Sequence, residues 1–342
     1  MNEPSFSDVI PAVTRLVKTA VESFDQLPYN LRVSKAYWFV ALVCVPLLIG
    51  GACGNKSPND TGAISALDKS SGDGSSAAIA DTGPVDTTPL PNVDVSKLND
   101  DSKALFYRLL GSLTSPCGKA HSLRTSFTSD TSCKRAPFAV RYVMSLLEDG
   151  ATEPQTRDEY DKKYKSTQGS VMLDTSKAPH EGPDDAPVRL TEFYDYGCPH
   201  CAAFRPMMEA IAKDEAGKVV EYFMQFPLES HHNSRSAAQA AFAAANQGKF
   251  AEMHALLFQK QPEQDHAQVT AMAQSLGLDM TKFEADYADP AVAAHVASDL
   301  AQGEKAGVDS TPTLFFNNRK YEGPMHPKYI ELWIEEEVAV NR

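Results

Sequence analysis

The spacing of apolar positions changes several times along the chain, and each change marks a boundary. Val9, Val13, Leu16, Val17, Val21 and Phe24 recur at helical spacing and predict a short amphipathic helix in an extension over 1–35, unless translation starts later. From 36 to 52 the run AYWFVALVCVPLLIGGA carries no charge and follows Arg32 and Lys35. That is the layout of a signal core or a single membrane anchor. Residues 54–100 lose the pattern: 31 of these 47 are Gly, Pro, Ser, Thr, Asn or Asp and none is aromatic. So little apolar surface cannot repay ordering, and a flexible linker is expected.

Helical spacing returns at 101–180. Ala104, Leu105, Leu109 and Leu110 predict a helix stopped by Gly111, Phe138 to Leu147 a second ending before Gly150, and Asp158 to Tyr164 a further turn or two. This stretch reads as a helical spacer. Beyond Pro187 the pattern alternates between strand and helix. VRLTEFYDY (188–196) reads as a central strand, the residues after Cys201 as a helix closed by Gly217, and Val219 to Phe226 as a second strand. Helices follow over 235–246, 250–259, 270–276, 282–287 and 292–304. A strand–turn–strand around Asn317-Asn318 and a helix from Tyr329 to Val338 then close the chain. The fold class is α/β.

Charge narrows the partners. With 32 Lys and Arg against 45 Asp and Glu, the net charge of -13 argues against nucleic-acid binding built on bulk charge. Of the six cysteines, Cys117 and Cys133 lie between the first two spacer helices. Outside the cytoplasm their simplest reading is a structural disulfide; two free thiols are the rival, and a zinc pair is poor because structural ligands come closely spaced. His231, His232, His254, His266 and His295 make no metal-ligand spacing and read as ordinary surface or loop residues. No metal or cofactor is expected.

Cys198-Pro199-His200-Cys201 carries the chemistry. The pair sits where a strand hands over to a helix, with Pro199 suited to the first helical turn. Unpaired backbone amides and the positive end of the helix dipole favour a Cys198 thiolate, and His200, if protonated or turned to the sulfur, adds to this. Cys201 is close enough to close a ring and should be the more buried partner. With no second CxxC, a dithiol redox pair is favoured over half a metal site. Near the C-terminus Ser310-Thr311-Pro312-Thr313 enters a strand, where a proline is costly unless it sits at a special bend. A cis Thr311–Pro312 bond beside the cysteines would present the Thr311 backbone to an extended substrate; a trans proline at a strand start is the alternative.

EFYDYGCPHC (192–201) with Ser310-Thr311-Pro312-Thr313 resembles the DsbA-like branch of the thioredoxin superfamily, and FPL at 226–228 and QGKF at 247–250 fit it. The resemblance covers about 186–338. It implies a thioredoxin-like fold with a helical insertion at about 233–305, Cys198 as the attacking sulfur, Cys201 as the resolving one and His200 as a tuner of redox poise. It further implies Pro312 as the cis-proline, Thr311 beside it and Glu192 as a buried acid that moves the inner cysteine's proton. LIGGAC (48–53) looks like a bacterial lipoprotein signal, departing from it at Gly50. Three fates are open for this segment: release, a retained helix, or lipidation at Cys53. The function expected is disulfide exchange with reduced exported proteins or peptides at the bacterial cell envelope, as an oxidant. A membrane redox partner would renew the dithiol, and attachment would be through anchor or lipid. A reductant, an isomerase and a non-catalytic peptide-binding module are the alternatives.

Overall fold

A computed structural model describes residues 84–165 and 169–341. The 1–35 extension, the 36–53 signal or anchor segment with Cys53, and the linker up to residue 83 lie outside them. No helix among the described residues is long and apolar enough to cross a membrane.

The first helix, α1 (Asp100–Ser112), starts where the Asn99 side chain accepts from the Ser102 amide at 2.8 Å, with Asp100 and Asp101 complementing its dipole. It runs through Gly111 instead of stopping there, because Leu109, Leu110 and Leu113 are all buried in one cluster. Next come α2 (Leu123–Thr128), α3 (Ala136–Glu148) and α4 (Glu153–Tyr164). The polar sequence of α2 hid it from a search for apolar stripes. Cys117 and Cys133 are joined as a disulfide with Cα atoms 5.8 Å apart, so the expected structural link is present and encloses α2.

The linker expectation fails for its last residues. Leu90 and Leu98 are buried with Phe106, Leu123 and Val140, and Arg124 bonds Asp86 Oδ2 at 2.7 Å and the Thr88 carbonyl at 2.6 Å. Two leucines eight positions apart, with Val93 and Val95 between them, carry little helical signal, yet they cover the α1–α3 face.

The sheet has the order β1 (His180–Glu181), β3 (Val219–Gln225), β2 (Val188–Tyr194), β4 (Thr313–Phe316) and β5 (Arg319–Lys320), with β2 and β3 parallel and every other pair antiparallel. Helix α5 (Pro199–Asp214) connects the parallel pair as a βαβ unit. One sheet face, through Leu190, Leu314 and Phe316, packs on Phe204, Met208 and Ile211 of α5 and on Ile330, Trp333 and Ile334 of α11 (Pro327–Asn341). Phe193, Met224 and Phe315 pack on the opposite side with Ala306 and Val308. Asn317 and Asn318 take positive φ, 49° and 66°, in the expected turn between β4 and β5. Between β3 and β4 lie α6 (Ser234–Ala245), α7 (Phe250–Gln259), α8 (His266–Ser275), α9 (Met280–Tyr287) and α10 (Pro290–Lys305).

The expected boundary at 186 is too late. β1 pairs His180 with Tyr222 and Glu181 with Glu221, the Val171 amide bonds the Asn318 carbonyl at 2.9 Å, and Leu173 and Ala178 are buried against Val220 and Met224. Residues 171–181 therefore belong to the sheet rather than to the spacer, and α11 extends past 338. Nor is the helical module a detached spacer. Glu336 and Glu337 of α11 take ion pairs from Arg135 of the module, Glu336 from Lys163 at 3.0 Å and Glu337 from Arg319 at 2.8 Å. Lys163 Nζ also lies 3.5 Å from the Trp333 ring centroid, and burial pushes its ammonium down to about 8 against the pull of Glu336.

Candidate active site

Strand β2 ends at Tyr194, and the next four residues form the site by way of Asp195. The Asp195 carbonyl accepts from the Cys198 amide at 3.0 Å, and its Oδ1 accepts from the Gly197 amide at 2.8 Å. Its Oδ2 takes the Leu228 amide at 3.0 Å and meets His231 Nδ1 at 2.6 Å. One buried carboxylate thus ties the turn to the segment after β3. Gly197 is required here, since a Cβ would come within 2.6 Å of both His231 Cβ and Ser234 Oγ.

A second clamp comes from the helical insertion. Gln261 donates to the carbonyls of Tyr196 and, at 3.1 Å, Cys198, while Gln264 donates to the Tyr196 carbonyl at 2.9 Å. Below the turn, Tyr196 OH lies 2.8 Å from His254 Nδ1 and 3.1 Å from Tyr194 OH. His254 is therefore no loop histidine. It is 2% exposed on α7 amid Tyr194, Phe223 and Phe258, and burial pushes it well below the usual imidazole range, so it is neutral. His231 holds Asp195, His266 meets Glu284 Oε2 at 2.8 Å, His295 stacks on Phe242, and His232 is exposed.

Cys198 is the N-cap of α5 with extended backbone, Pro199 occupies the first turn, and Cys201 follows within that turn. Both sulfurs are free thiols. Cys198 keeps 4% exposure and Cys201 none. The Cys198 thiol donates to the Thr311 carbonyl at 3.4 Å, and the Thr311–Pro312 bond is cis. The late Thr-Pro element and the CPHC element, 113 residues apart between Cys198 and Thr311, thus meet as expected. His200 is exposed on the helix and hydrogen-bonds neither sulfur.

Burial pushes the Cys201 thiol far up, and the neighbouring Glu192 carboxyl adds to this; the Asp195 amide and the Thr311 hydroxyl pull the other way. Glu192 is 2% exposed at the middle of β2, on the face covered by α5. Burial, and then the neighbouring Glu221 of β3, raises its carboxyl well above the usual range, with Arg205 of α5 opposing. Three of the six residues expected at the site (Cys198, Cys201 and Thr311) meet directly. Pro312 adjoins them, Glu192 lies beneath Cys201, and His200 stands outside. Asp195, His231, Gln261, Gln264, Glu221 and Arg205 were missed. A charged residue at the centre of each of two adjacent apolar strands was the available signal for Glu221.

Among known proteins, the thioredoxin family model matches residues 174–336. The chain is similar to the Na(+)/H(+) antiporter NhaA 3 of Salinispora tropica, 36% identical over 156 residues, which are 45% of this chain and 24% of that protein. NhaA 1 of Salinispora arenicola is 34% identical over 155 residues, again 45% and 24%. The chain thus spans about a quarter of the length of these curated relatives. Among solved structures it is similar to BdbD from Bacillus subtilis at 27% identity, covering 49% of this chain and 97% of that one with a TM-score of 0.45. A thioredoxin-like oxidoreductase from Silicibacter pomeroyi is 24% identical, with coverages of 51% and 95% and a TM-score of 0.43.

Proposed function

We propose that residues 174–336, which match a thioredoxin family model, form a DsbA-like thiol-disulfide oxidoreductase domain acting on reduced exported proteins as an oxidant. The observation that carries this reading is the placement of the two thiols. Cys198 stands at the start of a helix against the Thr311 carbonyl, and Cys201 is sealed one turn inside.

In the oxidised enzyme a substrate thiolate attacks Cys198 Sγ, the more accessible sulfur. The Cys198–Cys201 bond breaks, its electron pair goes to Cys201 Sγ, and substrate and Cys198 form a mixed disulfide. A second substrate thiolate attacks the substrate sulfur in that bond, Cys198 leaves as thiolate, and the substrate is oxidised while the enzyme holds two thiols. Amides at the helix start favour negative charge on Cys198 as it departs, which drives the cycle in the oxidising direction. The backbone beside Thr311 offers an extended substrate chain hydrogen bonds that carry no sequence preference. Renewal requires a disulfide-bearing partner, and we assign that part to a membrane redox protein. The uncharged run over 36–52 and Cys53 favour attachment to the cell envelope with this domain outside the cytoplasm, where the Cys117–Cys133 disulfide is also at home.

Oxidation of a reduced, unfolded dithiol protein tests the reading. Wild type should oxidise it stoichiometrically, Cys198→Ser should not, and Cys201→Ser should accumulate a mixed disulfide. Activity surviving in Cys198→Ser would remove the chemistry from this pair.

A further inference from the structure

Three glutamates stand in a row across three adjacent strands. Glu181 of β1 lies directly opposite Glu221 of β3, and Glu221 pairs with Leu190 of β2, two residues before Glu192 on the same face. The row leads from the open edge of the sheet to the residue beneath Cys201. Arg205, from the helix that carries both cysteines, spans it: Nη2 lies 3.5 Å from Glu181 Oε2, and Nη1 lies 3.5 Å from Glu221 Oε1 and 3.9 Å from Glu192 Oε2. Its Nε reaches Glu209 at 3.2 Å. Side-chain exposure falls from 42% at Glu181 to 2% at Glu221 and 3% at Glu192.

Two buried oxygens in this row have no donor, Glu192 Oε2 and Glu221 Oε2. A buried carboxylate oxygen without a donor is expensive, and one proton held between the two carboxyls removes the cost. Both are raised by burial; Glu221 raises Glu192 further, whereas Arg205 pulls on both. The other ionisable groups facing the row are Cys201, Glu209, Tyr194, Tyr196 and neutral His254, and across β4 Glu192 meets only Leu314.

Starting from the role that the resemblance implies for Glu192, we propose that Glu221 and Glu181 extend it into a proton path that brings to Cys201, from solvent at the sheet edge, the proton its sulfur takes up when the Cys198–Cys201 disulfide opens. This rests on the reading of those cysteines as the exchanging pair. Cys201 is a poor leaving group as a bare thiolate, because its site is dry. As the S–S bond breaks toward Cys201, the proton held by the Glu192–Glu221 pair passes to the sulfur. The pair becomes doubly negative beside Arg205, and a proton from solvent enters by Glu181 to restore it. The path emerges away from the mouth of the site, so it works while a substrate protein covers Cys198.

The test is single-turnover opening of the oxidised full chain by a dithiol peptide, in H2O and D2O, across pH. In wild type the rate falls as pH rises through the raised range of the pair. Glu221→Gln should slow opening by roughly tenfold, within the span of general acid–base effects. It should also move the falling limb to lower pH, since the charge that helped Glu192 keep its proton is gone; Glu221→Asp should restore both. Glu181→Gln should slow opening by a smaller factor, leave the reduction potential unchanged and be rescued by added imidazole buffer, because it serves only the rate. Wild-type rates and pH profiles in both Gln variants would overturn the path while leaving the exchange reading intact. So would slower opening in Glu221→Gln with an unmoved pH profile, which marks a structural role. Oxidised wild type that thiols do not open would instead overturn the exchange reading.

Discussion

The chain holds two cysteine pairs in opposite settings. In the helical module, Cys117 and Cys133 are 16 positions apart, closed, and wrapped around a short polar helix. In the sheet domain, Cys198 and Cys201 are three positions apart at a helix start, unjoined, with a carbonyl, an amide and a carboxyl arranged around them. The first pair is joined and closes a long loop around α2. The second, when joined, closes a loop too short to restrict the unfolded chain much, and the Asp195 amide, the Thr311 hydroxyl and Glu192 bear on the charge of the Cys201 sulfur. Loop length and surroundings, not the presence of two cysteines, separate a structural link from a reactive one.

That contrast can be broken at the seam between the regions first. Glu336 is fully buried and takes contacts from Arg135, Lys163 and the Tyr164 hydroxyl. Glu336→Leu leaves the buried Lys163 ammonium without its carboxylate and Arg135 held by Glu337 alone, and should destabilise the chain by about 3 kcal/mol or more, read by denaturant unfolding. An unchanged midpoint would mean that the module is not fastened there. Next, Cys117→Ser with Cys133→Ser should cost about 3 kcal/mol by loop entropy, less any strain released, and leave disulfide exchange intact. Loss of exchange in a folded double variant would give that pair a redox role and erase the distinction. The smallest stability effect belongs to Cys198→Ser, expected under about 1 kcal/mol for a near-isosteric change at the mouth of the site, while exchange should be lost.

Much of this contrast was legible in sequence, for identifiable reasons. Helices with sustained apolar stripes, such as Phe250–Gln259, and strands such as Val219–Gln225 stood within a residue of where they lie. The dithiol was visible because its chemistry is local. What stayed hidden depends on distant partners. β1 is two polar residues that become a strand only by pairing with β3. Leu90 and Leu98 look like linker until α1 and α3 supply a face. Asp195 bonds a histidine 36 positions on, Gln264 bonds a carbonyl 68 positions back, and His254 becomes buried only because a helix brings it under Tyr196. Glu192 was reached through resemblance, but Glu221 and Arg205 needed the register of the strands.

The most direct measurement is equilibration of the full chain with glutathione buffers of graded ratio, followed by alkylation and peptide mapping of the four sulfurs in the two pairs. The account predicts that Cys198 and Cys201 pass together between thiol and disulfide, with a midpoint on the oxidising side of the glutathione couple, while Cys117–Cys133 stays closed throughout. Cys198 and Cys201 remaining thiols at every ratio, or both pairs opening together, would contradict it.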